Sequence, residues 1–135
     1  MNIENLTIKY DHSIPVYFRQ DNKYTGEVFE YFKNKLDLKY NVLNGYKSGK
    51  EMEYHENGNI VSINTYKNGL LEGEILNYDE SGNGILEEKS IFEKGICVKY
   101  WLYDKNKNVI EFYDIEENKE SMDYVLLESF RRNKN

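Results

Sequence analysis

The chain has 135 residues, with 18 basic and 24 acidic side chains and a formal charge of −6. That balance argues against nucleic acid or an anionic membrane surface as the main partner. The single cysteine, Cys97, rules out an internal disulfide, and no stretch approaches the roughly 20 apolar residues that cross a bilayer.

The length suits one small domain, with residues 1–20 as N-terminal strands, 26–114 as a repeat region and 118–132 as a C-terminal helix. The opening residues Met1-Asn2-Ile3-Glu4-Asn5-Leu6 have neither the basic nor the apolar region of a secretory signal, so a cytoplasmic protein is expected. Residues 3–10 (with Ile3, Leu6, Ile8 and Tyr10) and 14–18 (with Val16, Tyr17 and Phe18) read as two strands joined at Asp11-His12-Ser13. Pro15 places the second strand at an edge or marks its start.

From Tyr31 onward the chain repeats. Tyr31, Tyr54, Tyr78 and Tyr103 are spaced by 23, 24 and 25 residues, and each is followed by a turn-like tetrapeptide such as His55-Glu56-Asn57-Gly58 or Asp79-Glu80-Ser81-Gly82. A second column ends the next segment at Asn44-Gly45, Asn68-Gly69 and Lys94-Gly95, and a third places Gly26, Gly49 and Gly73 ahead of each tyrosine strand. Tight turns between β-branched and aromatic runs predict four stacked β-hairpins in one meandering antiparallel sheet. Alternation assigns Phe29, Met52, Leu76 and Trp101, with the tyrosine column, to an apolar face, and Glu30, Glu53, Asn77 and Leu102 to a wet one. The interval from Gly69 to Gly95 is 26 residues against 24 for Gly45 to Gly69, which predicts a longer turn or a bulge in the third hairpin. At the C-terminal end Met122, Val125, Leu126 and Phe130 fall on one helical stripe behind a cap at Ser121 or Asn118, predicting an amphipathic helix that covers the array.

The pairs Gly49-x4-Tyr54-x3-Gly58 with Tyr66-Lys67-Asn68-Gly69, and Gly73-x4-Tyr78-x3-Gly82 with Phe92-Glu93-Lys94-Gly95, resemble MORN repeats, and within them the bacterial MORN-variant repeats of the YwqK-type antitoxin family. The resemblance covers residues 26 to about 114. The outer units depart from it: Lys35 and Lys107 stand where the turn glycine would be, and the last unit lacks the leading glycine. It implies a mainly β fold of stacked hairpins and a binding role, and carries no catalytic residue to this chain.

The search for chemistry from residue types yields little. His12 and His55 are 43 positions apart, and Cys97 has no second cysteine and no motif-level histidine, so no catalytic residue, metal or cofactor is assigned. Charge is unevenly spread: residues 72–93 hold seven carboxylates against Lys89 alone, and residues 111–123 hold six against Lys119. Glu72, Glu74, Asp79, Glu80, Glu87, Glu88, Asp114 and Glu116 are therefore the candidate partner-binding residues, since complementary charge steers association and sets specificity. The expected function is that of a non-enzymatic antitoxin or immunity protein covering a basic toxin domain, as a monomer or an edge-paired dimer. A general protein-interaction scaffold with no toxin partner is the alternative.

Overall fold

The computed structural model describes residues 1–133 and is mainly β, with antiparallel hairpins and one C-terminal helix. Three strands, β1 (Thr7–Asp11), β2 (Ile14–Arg19) and β3 (Asn22–Lys23), form a small sheet in that order. Four hairpins follow: β4 (Gly26–Phe32) with β5 (Lys35–Leu43), β7 (Gly49–Tyr54) with β8 (Ile60–Lys67), β10 (Gly73–Tyr78) with β11 (Leu86–Glu93), and β12 (Ile96–Tyr103) with β13 (Val109–Asp114). They share one sheet in the order β13-β12-β11-β10-β8-β7-β5-β4, with short β6 (Tyr46–Lys47) against β5 and β9 (Leu70–Leu71) against β8. Helix α1 (Met122–Arg132) closes the chain.

Each sequence column has a local cause. Asn44-Gly45, Asn68-Gly69 and Lys94-Gly95 all lie at positive φ, the conformation of a two-residue reversal. Gly49 and Gly73, at φ +81 and +100, break the returning strand so that β6 and β9 stop and β7 and β10 start in a new direction. The last unit has no leading glycine, and β12 runs unbroken over its eight residues. The units are stitched at this end by one recurring bond: the N–H groups of Gly45, Gly69 and Gly95 donate to the carbonyls of Tyr24, Lys47 and Leu71 at 2.8, 3.0 and 2.8 Å. At the opposite end the third turn runs from Asp79 to Ile85, where the second needs only His55 to Asn59, so the longer interval is a longer turn.

The tyrosine column marks a repeated β-bulge. Pairing shifts register just before Tyr31, Tyr54, Tyr78 and Tyr103, leaving Asp37, Val61, Glu87 and Ile110 without a partner on the opposing strand. A bulge bends and twists its strand, so four in register curve the whole sheet.

The expected division of faces needs correction. Directly paired residues share a face, and one face carries Val28, Tyr40, Glu53, Ser62, Asn77, Glu88, Ser90 and Tyr100. This is the parity assigned to water, yet it holds the most buried side chains, Val28, Tyr40, Val42, Ile75 and Ser90 among them. The reason is the caps. Tyr17 of the small sheet packs on Tyr40, Val28 and Val42, with ring centroids of the two tyrosines 5.7 Å apart. Leu127 of α1 packs with Ile115 on Ile96, Val98 and Tyr113. The stripe Phe29, Met52, Leu76 and Trp101 is only half-buried, and Tyr31 is exposed.

Two flanking details also differ. Residues 3–5 form a 3-10 turn capped by Asn2, not the start of a strand. Pro15 is the second residue of β2, and β3 pairs only with Phe18 and Arg19, so the missing N–H costs no bond on that side. Helix α1 starts at its expected cap, Ser121, whose hydroxyl accepts from the Tyr124 N–H at 3.1 Å. Its orientation is not the expected one, because Leu127 and Tyr124 face the sheet while Met122, Val125, Leu126 and Phe130 are exposed. No helix among the described residues is long and apolar enough to cross a membrane.

Candidate functional site

Between the two caps the covered face is open, and there it forms a cleft of about 840 Å³. Six strands contribute to it. Glu53 comes from β7, Val61, Ser62 and Asn64 from β8, Asn77 and Tyr78 from β10, Glu87 and Glu88 from β11, Leu102 and Tyr103 from β12, and Ile110 from β13. Asp79 and Glu80, from the long turn, complete the wall. The bulges build this site: Val61, Glu87 and Ile110, each left over by a register shift, all line it.

Five carboxylates (Glu53, Asp79, Glu80, Glu87 and Glu88) surround the cleft, with no lysine or arginine among the lining residues. Two are positioned by hydroxyls, Ser62 donating to Glu53 at 3.3 Å and Ser90 to Glu88 at 3.1 Å. Asp79 accepts from the Ser81 N–H at 2.8 Å, and this bond holds its carboxyl below the usual range. The turn carrying it is anchored sideways, since the Gly82 carbonyl accepts from Asn57 at 3.1 Å and from Asn59 at 2.6 Å. Val61, Leu102, Ile110, Tyr78 and Tyr103 add apolar surface among these charges. The combination is an acidic concave surface with apolar side chains set into it.

The cleft ends against a buried polar cluster under the N-terminal cap. Lys47 is paired with Glu51, which also accepts from Asn64 at 3.1 Å, and the ammonium lies 4.4 and 5.0 Å from the ring centres of Tyr40 and Tyr66. Burial works against the Lys47 charge, but the bond and charge of Glu51 more than offset it and hold the ammonium above its ordinary pKa. Tyr40 donates to Glu30 at 2.6 Å, and burial followed by this bond pushes its phenol far up. No fully buried side-chain polar atom among the described residues lacks a hydrogen-bond partner, which marks the cluster as a fixed part of the fold.

Of the eight acidic residues expected to bind a partner, the structure brings four together. Asp79, Glu80, Glu87 and Glu88 share the cleft. Glu74 lies on the opposite face, paired with Lys89 at 3.4 Å. Glu72 is at the other end of the strands, where it accepts from the Lys94 N–H. Asp114 caps the 3-10 turn Ile115–Glu117, and Glu116 bonds Arg131 at 3.3 Å, so both serve the C-terminal cap. Glu53, Ser62 and Asn64 were missing from the expected set. Glu53 and Asn77 do carry a sequence signal, the parity shared with Glu30 and Leu102, but their convergence with Glu87 depends on the bulges.

No group of three or more His, Cys, Asp or Glu side chains among the described residues is arranged to hold a metal ion. Cys97 is half-buried with its thiol directed at the Lys99 carbonyl, 3.4 Å away, and burial raises its pKa, which makes it a poor nucleophile. The His55 ring accepts from the Asn57 N–H at 3.0 Å and so serves its own turn.

No protein-family model matches this chain, and no curated protein matches it significantly. Among solved structures it is similar to part of accessory secretory protein 1, 2 and 3 from Streptococcus pneumoniae, at 13% identity and a TM-score of 0.41 over 84% of this chain and 18% of that one. It is also similar to part of TarM, at 10% identity and a TM-score of 0.40 over 83% of this chain and 21% of that one. The chain thus spans about a fifth of the length of either protein, and likeness at this level defines no shared function.

Proposed function

We propose that this is a non-catalytic protein-binding module of the immunity or antitoxin type, whose acidic cleft covers a basic surface on a cognate toxin domain. The observation that carries the reading is the cleft itself: five carboxylates around apolar side chains, with no cation among the lining residues. A toxin acting on nucleic acid must present a basic surface to its substrate, and an inhibitor with the opposite field finds that surface quickly and rejects acidic partners. The likeness of the Gly49–Gly69 and Gly73–Gly95 units to the MORN-variant repeats of antitoxins supports the same reading. Residues at the cleft, Glu53, Asp79, Glu80, Glu87 and Glu88, are the contacts; Glu72, Glu74, Asp114 and Glu116 are left to structural pairings.

A general interaction scaffold is the second reading, favoured by the exposed apolar side of α1, which offers a second surface away from the cleft. Affinity capture from the native lysate at low and high salt separates the two. One stoichiometric basic partner, toxic when expressed alone, released by salt and lost with Glu87→Lys plus Glu88→Lys, supports the first. Several non-toxic partners retained by that double variant refute it in favour of the scaffold.

A further inference from the structure

Four asparagines stand directly before a glycine: Asn44, Asn57, Asn68 and Asn83. Such a pair carries its own chemistry, because a glycine nitrogen, unscreened by a Cβ, can attack the side-chain carbonyl of the asparagine before it. The fold treats the four pairs unequally. The nitrogens of Gly45, Gly58 and Gly69 are committed, donating to the carbonyls of Tyr24, His55 and Lys47 at 2.8, 2.8 and 3.0 Å. The Gly84 N–H has no hydrogen-bond partner among the described residues.

The asparagine side chains differ as well. Asn44 Oδ1 is turned toward the Thr25 hydroxyl, 3.5 Å away, and Asn68 makes no side-chain hydrogen bond among the described residues. Asn57 and Asn83 fold back over their own backbone, each Oδ1 accepting from the N–H two residues on, that of Asn59 at 2.9 Å and of Ile85 at 2.9 Å. This bond lays the side-chain carbonyl over the glycine peptide and polarises it. Asn57 is also tied to the neighbouring turn, its amide nitrogen donating to the Gly82 carbonyl at 3.1 Å. The Asn83 amide nitrogen reaches only Asp79, within its own turn, at 3.2 Å. Asn83, Gly84 and Ile85 are all exposed, so water and hydroxide reach the pair. Of the four, Asn83 alone combines a folded-back carbonyl with an uncommitted glycine nitrogen.

We propose that Asn83 is a site of spontaneous covalent modification, where the chain converts its own amide into a carboxylate beside Asp79 in the wall of the cleft. Hydroxide takes the Gly84 amide proton as the nitrogen bonds to Asn83 Cγ. The Cγ–Nδ2 bond then breaks and ammonia leaves with a proton from water, closing a five-membered imide. Water opens that ring at either carbonyl, giving aspartate or, with the main chain rerouted through the side chain, isoaspartate. Nothing is oxidised or reduced; water is consumed, ammonia is released and a negative charge is gained. The bond from Asn83 to Asp79 is thereby replaced by two facing carboxylates, in the turn that carries Asp79 and Glu80 into the cleft. The chemistry holds whatever the cleft binds.

Peptide mapping by mass spectrometry of the full chain, incubated at neutral and at mildly alkaline pH, tests it. The amide-to-acid mass gain should appear first on the peptide holding Asn83, roughly tenfold faster than at Asn44, Asn57 or Asn68, about the factor that one backbone hydrogen bond is worth. The rate should rise with pH. In urea, where all four are unfolded Asn-Gly pairs, the rates should draw together. Asn83→Gln, whose longer side chain closes the ring far less readily, should leave the mature charge unchanged over the same period, with circular dichroism like the parent's. Asn83→Asp should elute from an anion exchanger with the aspartate form of the aged parent. A folded chain in which Asn83 reacts no faster than the other three overturns the proposal. So does a lead at Asn83 that persists undiminished in urea, since local sequence and not the fold would then set it.

Discussion

The Lys47 ammonium is bonded to the Glu51 carboxylate in a site where Glu51 is only 5% exposed, and the pair ties the β6 turn to the first bend of β7. Two charges withdrawn from water persist only when each has the other and further hydrogen bonds besides, which Asn64 and the faces of Tyr40 and Tyr66 supply. Removing one partner therefore costs more than removing both. Glu51→Ala is expected to destabilise by about 3–5 kcal/mol, and the double change Lys47→Met with Glu51→Leu by less than either single change, measured by urea unfolding.

The same pair sets a pH dependence at the alkaline end. Because the folded-state pKa of Lys47 lies above its unfolded-state value, its contribution is complete below about pH 10.4 and fades as pH rises through the folded value. Melting temperature followed from pH 8 upward should fall more steeply above about pH 10.4 in the parent than in Lys47→Met plus Glu51→Leu, which lacks the titrating pair, so the difference between them at pH 8 should shrink.

Leu127 is the one fully buried residue of helix α1. Leu127 is 0% exposed between Ile96 and Ile115, while Met122, on the stripe expected to face the sheet, is 83% exposed. Leu127→Ala should destabilise by about 2–5 kcal/mol, and Met122→Ala or Val125→Ala by less than about 0.5 kcal/mol, in thermal melts.

That inversion shows where sequence reading stops. The apolar stripe of α1 is a property of eleven residues, whereas the side that packs is set by Ile96 and Tyr113, in strands outside it. The sheet repeats the lesson. Hairpins were legible because Asn44-Gly45 and Asn68-Gly69 require backbone conformations few residues adopt, a local cause with a local signal. Which face is covered was not, because it depends on Tyr17 and Leu127 at opposite ends. Nor were the bulges, since Val61 or Glu87 becomes surplus only when counted against the strand opposite. The cleft is the product of both effects, and for that reason charge density alone missed Glu53 in its acidic wall and misplaced Glu74.

Gly82 is a tight point in the stack of turns. Its φ is +78, and a Cβ there would lie 2.6 Å from both the Asn57 amide nitrogen and the His55 ring. Gly84 has a similar φ of +79 with nothing within 4 Å. The two positions separate backbone strain from collision. Gly84→Ala should cost only the left-handed penalty, about 1–2 kcal/mol, and Gly82→Ala clearly more, with the bonds from Asn57 and Asn59 to the Gly82 carbonyl lost as well. Hydrogen exchange at the Gly82 and Asn59 amides should accelerate in the first variant far less than in the second.

Arg131 ends α1 with three carboxylates around it: Glu93 at 2.9 and 3.0 Å in a two-pronged contact, Glu128 at 2.8 Å and Glu116 at 3.3 Å. Of these, Glu93 belongs to the sheet and Glu116 to the turn before the helix, so one guanidinium links all three parts of the C-terminal cap. The bonds to Glu93 and then Glu128 hold it charged well beyond its ordinary range. More than a third of the side chain is exposed, so solvent screens the network and its net worth is small. Arg131→Lys keeps the charge but not the fork that meets both Glu93 oxygens. Each of Arg131→Lys and Arg131→Ala is expected to lose about 1 kcal/mol or less. The loss should shrink as salt rises from low ionic strength to about 1 M, where screening reaches the length of the contact itself. A loss that is independent of salt would mean that Arg131 holds the helix by packing of its aliphatic stem instead of by charge.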